Sequence, residues 1–434
     1  MEGRGQRFIF YGIVAGVLAG GLCGWIFGEP MARVKFLGEL FLHALFLLIV
    51  PLVFFSMIAG IASLGDVRKI GRTGGAALTY YALTTLAAVF VGLLLVNVIQ
   101  PGRGFQEHAA ALTDPALASR IEESMGKTPA DALKDILFSI FPKNILDAAA
   151  RQQILPLIVF ALVFGGVLTT LGKAGKPVLD FCLGANEAVM VMVRLVMYAA
   201  PVGIFGLVAG RLGEQGGGAA VGRELAAVGW YASTVLLGLA VHALVVLPLL
   251  LYFLGRRAPH RYAAGVAPAL LTAFSTASSS ATLPVTIRSI TERNRVRSDV
   301  ATFVLPIGAT VNMDGTGLYE AVAAVFIGQA FAVAAGIHIG LGGMLIIAVT
   351  ATLAAIGAAG IPEAGLVTML IVLTSVGYPQ EVITAGMASI LSIDWLLDRC
   401  RTTVNVWGDA VGAAVVERWA PPSSPDSEPH EAAN

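Results

Sequence analysis

Long stretches of this chain carry no charge, and that one feature excludes most folds. Residues 8–28, 40–64, 74–100, 154–171 and 225–255 contain no Asp, Glu, Lys or Arg, and 181–210 contains only Glu187 and Arg194. A helix needs about 20 apolar residues to cross a bilayer, so six such helices are expected from these stretches alone. Over the 434 residues 56% are hydrophobic and 13% charged, against roughly a quarter charged in soluble domains. That excludes a soluble globular protein. Lys plus Arg and Asp plus Glu balance at 28 each, so no charge excess points to nucleic acid or a polyanion. Cys23, Cys182 and Cys400 lie far apart, without disulfide or zinc spacing.

Basic residues gather in residues 1–7, 66–72, 172–176, 255–261 and 288–297. The positive-inside rule puts these clusters in the cytoplasm, with both termini. The apolar segment 262–287 then has to enter and leave on one side, as a re-entrant hairpin spanning about 259–290. A second hairpin is expected over about 340–377, because 321–362 is uncharged and too long for one helix. The two tips, residues 277–284 and 355–362, are each a run of small residues closed by an apolar residue and Pro. Paired interrupted segments of this kind point to a midplane binding site in transporters built from inverted repeats. Residues 101–153 read as an external loop with a short helix, and 421–434 as a disordered tail. The lack of an N-x-S/T sequon and of a cleavable leader favours a bacterial or archaeal inner membrane.

Ionisable residues inside a membrane segment mark function by default. Asp394, Asp398, Arg401, Asn405 and Asp409 fall within an arc of about 80° on one helix face. The guanidinium can bind a carboxylate bidentately while Asp398, one turn earlier, holds an ammonium. A second group, Asn312, Asp314 and Thr316, follows Gly308 and Thr310 in an apolar helix. Glycine is expected to loosen the helix there, and the freed carbonyls with Asn, Asp and Thr oxygens form a hard cage suited to sodium. Ser278, Ser279 and Ser280 offer backbone donors at a half-helix start. Tyr81, Thr84 and Thr85 share one helix face, which by itself reads as packing.

The stretches SSSATLPVT (278–286), NMDGT (312–316), IGAAGIPEAG (356–365) and DRCRTTVNVWGD (398–409) resemble the glutamate transporter family, the dicarboxylate/amino acid:cation symporters. The resemblance implies an all-α integral membrane fold of eight transmembrane helices plus two re-entrant helical hairpins with inverted repeats. It also implies a homotrimer and an elevator motion. Residues 1–73 and 101–223 would be scaffold, and 74–100 and 224–418 the moving part. By motif, Arg401 would bind the substrate side-chain carboxylate and Asp398 its amino group. Thr316, Thr402 and Asn405 would add hydrogen bonds, and Ser279, Ile361 and Gly365 would make contact from the hairpin tips. One sodium would use Gly308, Asn312, Asn405 and Asp409. A deeper one would use Tyr81, Thr84, Thr85, Asn312 and Asp314, and a third the carbonyls of Thr310, Ala355, Ile356 and Ala358. Glu320, and Arg399 in place of an arginine at position 277, resemble the animal excitatory amino-acid transporter branch, which couples to protons and potassium.

The function implied is sodium-driven symport of aspartate or glutamate. The alternative is a symporter of C4-dicarboxylates, which would leave Asp398 without an ammonium to bind. A membrane hydrolase built on Ser279 finds no support, because none of the six histidines forms a sequence motif with serine or a carboxylate. Glu320 stands alone in an apolar run, so it must be protonated, which would let a proton travel with the substrate, or paired permanently with Arg399 or another cation.

Overall fold

The computed structural model describes residues 2–62, 72–103, 141–151, 153–214, 219–335, 339–356, 358 and 364–419. All regular structure among the described residues is helical. Most of the loop expected over 101–153, most of the basic cluster 66–72, the tip of the second hairpin and the tail 421–434 lie outside the described residues.

Helix α1 (Glu2–Phe27) carries Gly12, Gly16, Gly20 and Gly24 at four-residue spacing. A Cβ on Gly16 would sit 2.5 Å from the Pro201 carbonyl oxygen, and one on Gly24 would sit 2.7 Å from Leu212 Cβ. The bare rungs let a second helix lie against the backbone, as small residues do in apolar surroundings. That second helix, Ala200–Glu214, is α7, and α2 (Lys35–Ala62) covers its other side. There Gly206 and Gly210 approach Leu37 and Lys35 equally closely.

Next come α3 (Arg72–Ile99), α4 (Ile145–Ala150), α5 (Ile154–Thr170), α6 (Lys176–Met197) and α7 (Ala200–Glu214). The helix expected over 181–210 is in fact α6 and α7, bent by 52°. Pro201 explains the break, since its ring displaces the carbonyl of Met197 and it has no N–H to donate. Tyr198 and Ala199 close the turn with i−3 bonds to Leu195 and Val196.

Helix α8 (Ala219–Val241) continues through a wide turn, His242–Val246, into α9 (Leu247–Phe253). Over the segment expected to form the first hairpin, α10 (Pro259–Thr276) and α11 (Ser279–Arg288) pack side by side. Its base is held by Glu417, which accepts from Arg257 Nη2 and from the backbone N–H of Arg297, each at 2.6 Å. Then follow α12 (Ser298–Val311) and α13 (Asp314–Ala335). Helices α14 (Leu341–Ile356) and α15 (Ala364–Ser375) pack together over the segment expected to form the second hairpin. The chain ends in the 40-residue α16 (Gln380–Trp419).

Packing divides these helices into two sets. Helices α1, α2, α5, α6 and α7 pack on one another, while α16 is surrounded by α3, α8, α9, α10, α12 and α13. The sets meet mainly where α7 touches α16 and where α15 touches α2. Glu29–Ala62, Thr73–Ile99 and Ala226–Phe253 are long and apolar enough to cross a membrane, whereas the arms of the second hairpin are too short to cross singly.

Candidate functional site

The polar ladder on α16 faces inward along its whole length: Asp394, Asp398, Arg401, Asn405 and Asp409 are all buried, Arg401 at 1% exposure. A solvated helix face is thereby excluded. Arg401 Nη2 donates to Asp398 Oδ1 at 2.8 Å, and Nη1 lies 3.2 Å from Asp394 Oδ1. The Tyr319 ring lies against the guanidinium, its centroid 3.8 Å from Cζ, a cation–π distance. Gly365, near the start of α15, comes so near that a Cβ there would lie 2.8 Å from Nη1. The second hairpin thus rests directly on the cation, and Thr402 is buried beside it.

The helix break lies two residues before Gly315 rather than at a glycine. Helix α12 ends at Val311, Asn312 takes the non-helical angles φ −90° and ψ 84°, and the helix resumes at Asp314. The glycines serve close approach instead. A Cβ on Gly308 would meet Asp409 Oδ1 at 2.5 Å and the Tyr81 hydroxyl at 2.6 Å, and one on Gly315 the Arg401 carbonyl oxygen at 2.7 Å.

Around the break the expected oxygen donors converge. Thr85 Oγ1 donates to Asp314 Oδ1 at 2.8 Å, and Thr84 Oγ1 to Asn312 Oδ1 at 3.4 Å. Asn312 Nδ2 donates to Asp409 Oδ1 at 2.9 Å and to the Asn405 carbonyl at 3.3 Å. The amide oxygen of Asn312 therefore faces the Tyr81–Thr84–Thr85–Asp314 group, and its nitrogen the Asp409 group. Toward Asp409, Asn312 can offer a cation only its backbone oxygen. Asn405 Oδ1 accepts from the Gly315 N–H at 2.8 Å, and its Nδ2 donates to Thr316 Oγ1 at 3.3 Å. Tyr81, Thr84 and Thr85 are thus more than packing, since each reaches a group on α12, on α13 or in the break between them.

The third expected group is also assembled. Ala355 and Ala358 cluster with Met313 of the break, so the carbonyl end of α14, with Ile356, faces it. The negative end of the helix dipole favours a cation, although the Ala355 carbonyl already accepts from the Ala358 N–H at 3.0 Å. The Thr310 hydroxyl donates to the Ile307 carbonyl at 3.0 Å. In the first hairpin Ala277 adopts φ 50°, and the Ser278 hydroxyl caps α11 by accepting from Ala281 N–H at 3.1 Å. Ser279 follows as the first helical residue, buried. Ile361 lies outside the described residues.

Two expectations change. Arg399 is not the partner of Glu320: it donates to the carbonyls of Phe274 and Ser275, at 2.9 and 2.7 Å, and so closes the carbonyl end of α10. Glu320 is fully buried, with the Thr368 side chain and the Arg401 guanidinium as its polar neighbours. Second, one histidine does meet a carboxylate. His242 Nε2 lies 3.0 Å from Asp314 Oδ2, both side chains wholly buried. The contact spans 72 positions of sequence and is made from the wide turn in the α8–α9 helix, so no spacing could have signalled it. Asp394 and Tyr319 were likewise not assigned a role from sequence.

A broken helix, two helix hairpins and a buried ladder of paired charges inside an apolar helical body define a membrane carrier of small charged solutes. The model of the sodium:dicarboxylate symporter family matches residues 8–419, and the chain belongs to that family. It is 38% identical to excitatory amino acid transporter 1 of Ambystoma tigrinum, over 94% of this chain and 82% of that protein. It is 40% identical to excitatory amino acid transporter 3 of Mus musculus, over 88% of this chain and 78% of that one. A Caenorhabditis elegans excitatory amino acid transporter is 38% identical over 94% of this chain and 86% of its own length. These relatives are transporters, which sets the hydrolase alternative aside. All three are animal proteins and lend nothing to a prokaryotic origin.

Proposed function

We propose that the chain is a symporter that carries an acidic amino acid, aspartate or glutamate, with sodium. The observation that carries this reading is the buried Arg401–Asp398 pair at 2.8 Å. A cation and an anion side by side match a substrate with a distal carboxylate and an ammonium. Arg401 would take the carboxylate and Asp398 the ammonium. Thr316, Thr402, Asn405, Ser279, Ile361 and Gly365 would line the remaining surface. Sodium would use the three oxygen groups: Tyr81, Thr84, Thr85, Asn312 and Asp314; Gly308, Asn312, Asn405 and Asp409; and the carbonyls of Thr310, Ala355, Ile356 and Ala358. These donors are oxygens throughout, as a hard cation requires.

The fold in this reading has eight spanning helices, two re-entrant hairpins and cytoplasmic termini, and forms a homotrimer. The set around α16 slides as an elevator against the set containing α1, α2 and α5–α7. The sparse packing between the two sets supports that division. Glu320 is the group that would carry a proton inward and leave room for potassium on the return, while Arg399 steadies the first hairpin.

Uptake by proteoliposomes under a sodium gradient, with aspartate, glutamate, serine and succinate as competitors, tests the reading. Competition by the first two and not by succinate is expected. The family description names dicarboxylates, so dominant competition by succinate would establish the C4-dicarboxylate reading instead.

A further inference from the structure

Arg401 has two carboxylates on it, and the proposed function uses only one. Asp398 holds Nη2, while Asp394 lies on the other terminal nitrogen, 3.2 Å from Nη1. Asp394 stands seven residues before Arg401 on α16, two turns away on the same face, with its side chain 3% exposed. Arg401 is the one cation paired with it among the described residues. Tyr319 of α13 stands against this carboxylate and Tyr231 of α8 closes behind it, both hydroxyls buried. A carboxylate this deep persists only with a counter-charge, and Arg401 is its nearest cation.

We infer that Asp394 is the permanent counter-ion of Arg401, a positioning residue that sets the depth at which the substrate's distal carboxylate docks. The inference rests on the proposed function. On that reading an arriving amino acid gives its ammonium to Asp398, which loosens the Asp398–Arg401 bond. Something else must then hold the guanidinium. Asp394 keeps the Nη1 side and the Tyr319 ring keeps one face, so the planar fork stays aimed in one direction. With the fork fixed, the site measures the distance from ammonium to distal carboxylate, which is where aspartate and glutamate differ. Asp394 also offsets much of the arginine charge, so a substrate carboxylate is selected by geometry more than by net attraction.

The test is sodium-driven uptake by the full chain in proteoliposomes, normalised to incorporated protein. Asp394→Asn keeps the shape and removes the charge. We expect KM for acidic substrates to change by about tenfold and the aspartate/glutamate KM ratio to shift by about threefold. A merely structural aspartate would instead lower Vmax and leave that ratio alone. The second arm uses Arg401→Cys, which strands Asp394 as an unpaired buried charge. Adding Asp394→Asn in that background should leave neutral amino-acid uptake equal to or better than in Arg401→Cys alone. An unchanged KM ratio in the single variant, or losses in the double variant that simply add, would overturn the role of Asp394. Wild-type aspartate uptake by Arg401→Cys alone would instead bring down the functional reading beneath it.

Discussion

Replacing Arg401 by Cys is the most severe single change the site offers, and the structure sets its scale. The guanidinium is 1% exposed, donates to Asp398 at 2.8 Å, lies 3.2 Å from Asp394 and stacks on Tyr319. Its removal leaves two carboxylates facing each other without a cation, and breaking a buried pair in this way costs about 3–5 kcal/mol. The substrate's distal carboxylate loses a desolvated, charge-assisted partner as well, a loss of about 2–5 kcal/mol in binding. At roughly 1.4 kcal/mol per decade, the affinity for aspartate should fall by between about thirtyfold and a few thousandfold. The vacated volume should at the same time admit small neutral amino acids. Sodium-driven uptake of labelled aspartate and serine in proteoliposomes measures both effects. Aspartate uptake with wild-type KM in Arg401→Cys would refute the assignment of the guanidinium to the substrate carboxylate.

Asp314→Asn and Asp409→Asn should each raise the sodium concentration for half-maximal uptake by at least about tenfold, since each removes an anionic oxygen from a buried cation cage; a sodium titration of uptake checks this. His242→Leu should destabilise the purified protein by about 1–3 kcal/mol and weaken its sodium response, because the buried Asp314 Oδ2 loses its partner at 3.0 Å; thermal unfolding with and without sodium reads both. Gly308→Ala should abolish sodium-dependent uptake, as the added Cβ would lie 2.5 Å from Asp409 Oδ1 and 2.6 Å from the Tyr81 hydroxyl; wild-type uptake in that variant would show that the two helices can separate at no functional loss. Glu320→Gln should give uptake that no longer responds to pH or to internal potassium; retention of both dependences would leave Glu320 a structural residue.

Features written in local periodicity could be read before the fold was seen. The α16 ladder stands out because five polar residues at i+3 and i+4 steps interrupt an apolar helix. The first hairpin is marked by its run of small residues closed by proline. The glycines of α1 are equally periodic, at positions 12, 16, 20 and 24, but their role as a bed for α7 is seen only in the structure. Pro201 is a local mark too, yet the apolar run 181–210 across it reads as one helix, and only the structure shows the break between α6 and α7. What stayed hidden depends on tertiary placement. The His242–Asp314 contact needs the wide turn that rotates His242 inward. The reversal of the Asn312 amide, oxygen to Thr84 and nitrogen to Asp409, depends on which donors surround it. Arg399 is a different case. Two residues from Arg401 on a helix means roughly 200° of rotation, so the two arginines could not share a face, and helical geometry alone argued against placing Arg399 near Glu320.

The same hydrogen bonds give a physical route by which sodium and substrate would depend on each other. Asp409 holds Asn312 through Nδ2, and Asn312 in turn donates to the carbonyl of Asn405. Asn405 fixes the start of α13 by accepting from the Gly315 N–H, and donates to Thr316 Oγ1 on the proposed substrate side. Arg401 stands one turn before Asn405 on the same helix, with its own carbonyl pressed on Gly315. A cation seated at Asp409 or Asp314 therefore orders the broken segment that carries Thr316, and a substrate seated on Arg401 and Thr316 orders the segment that carries the cation ligands. Each ligand lowers the ordering cost of the other, so the coupling must be reciprocal. The factor by which sodium tightens substrate binding should equal the factor by which substrate tightens sodium binding. Asn405→Ala cuts the route at its middle and should shrink both factors together. A loss confined to one of them would place the coupling elsewhere.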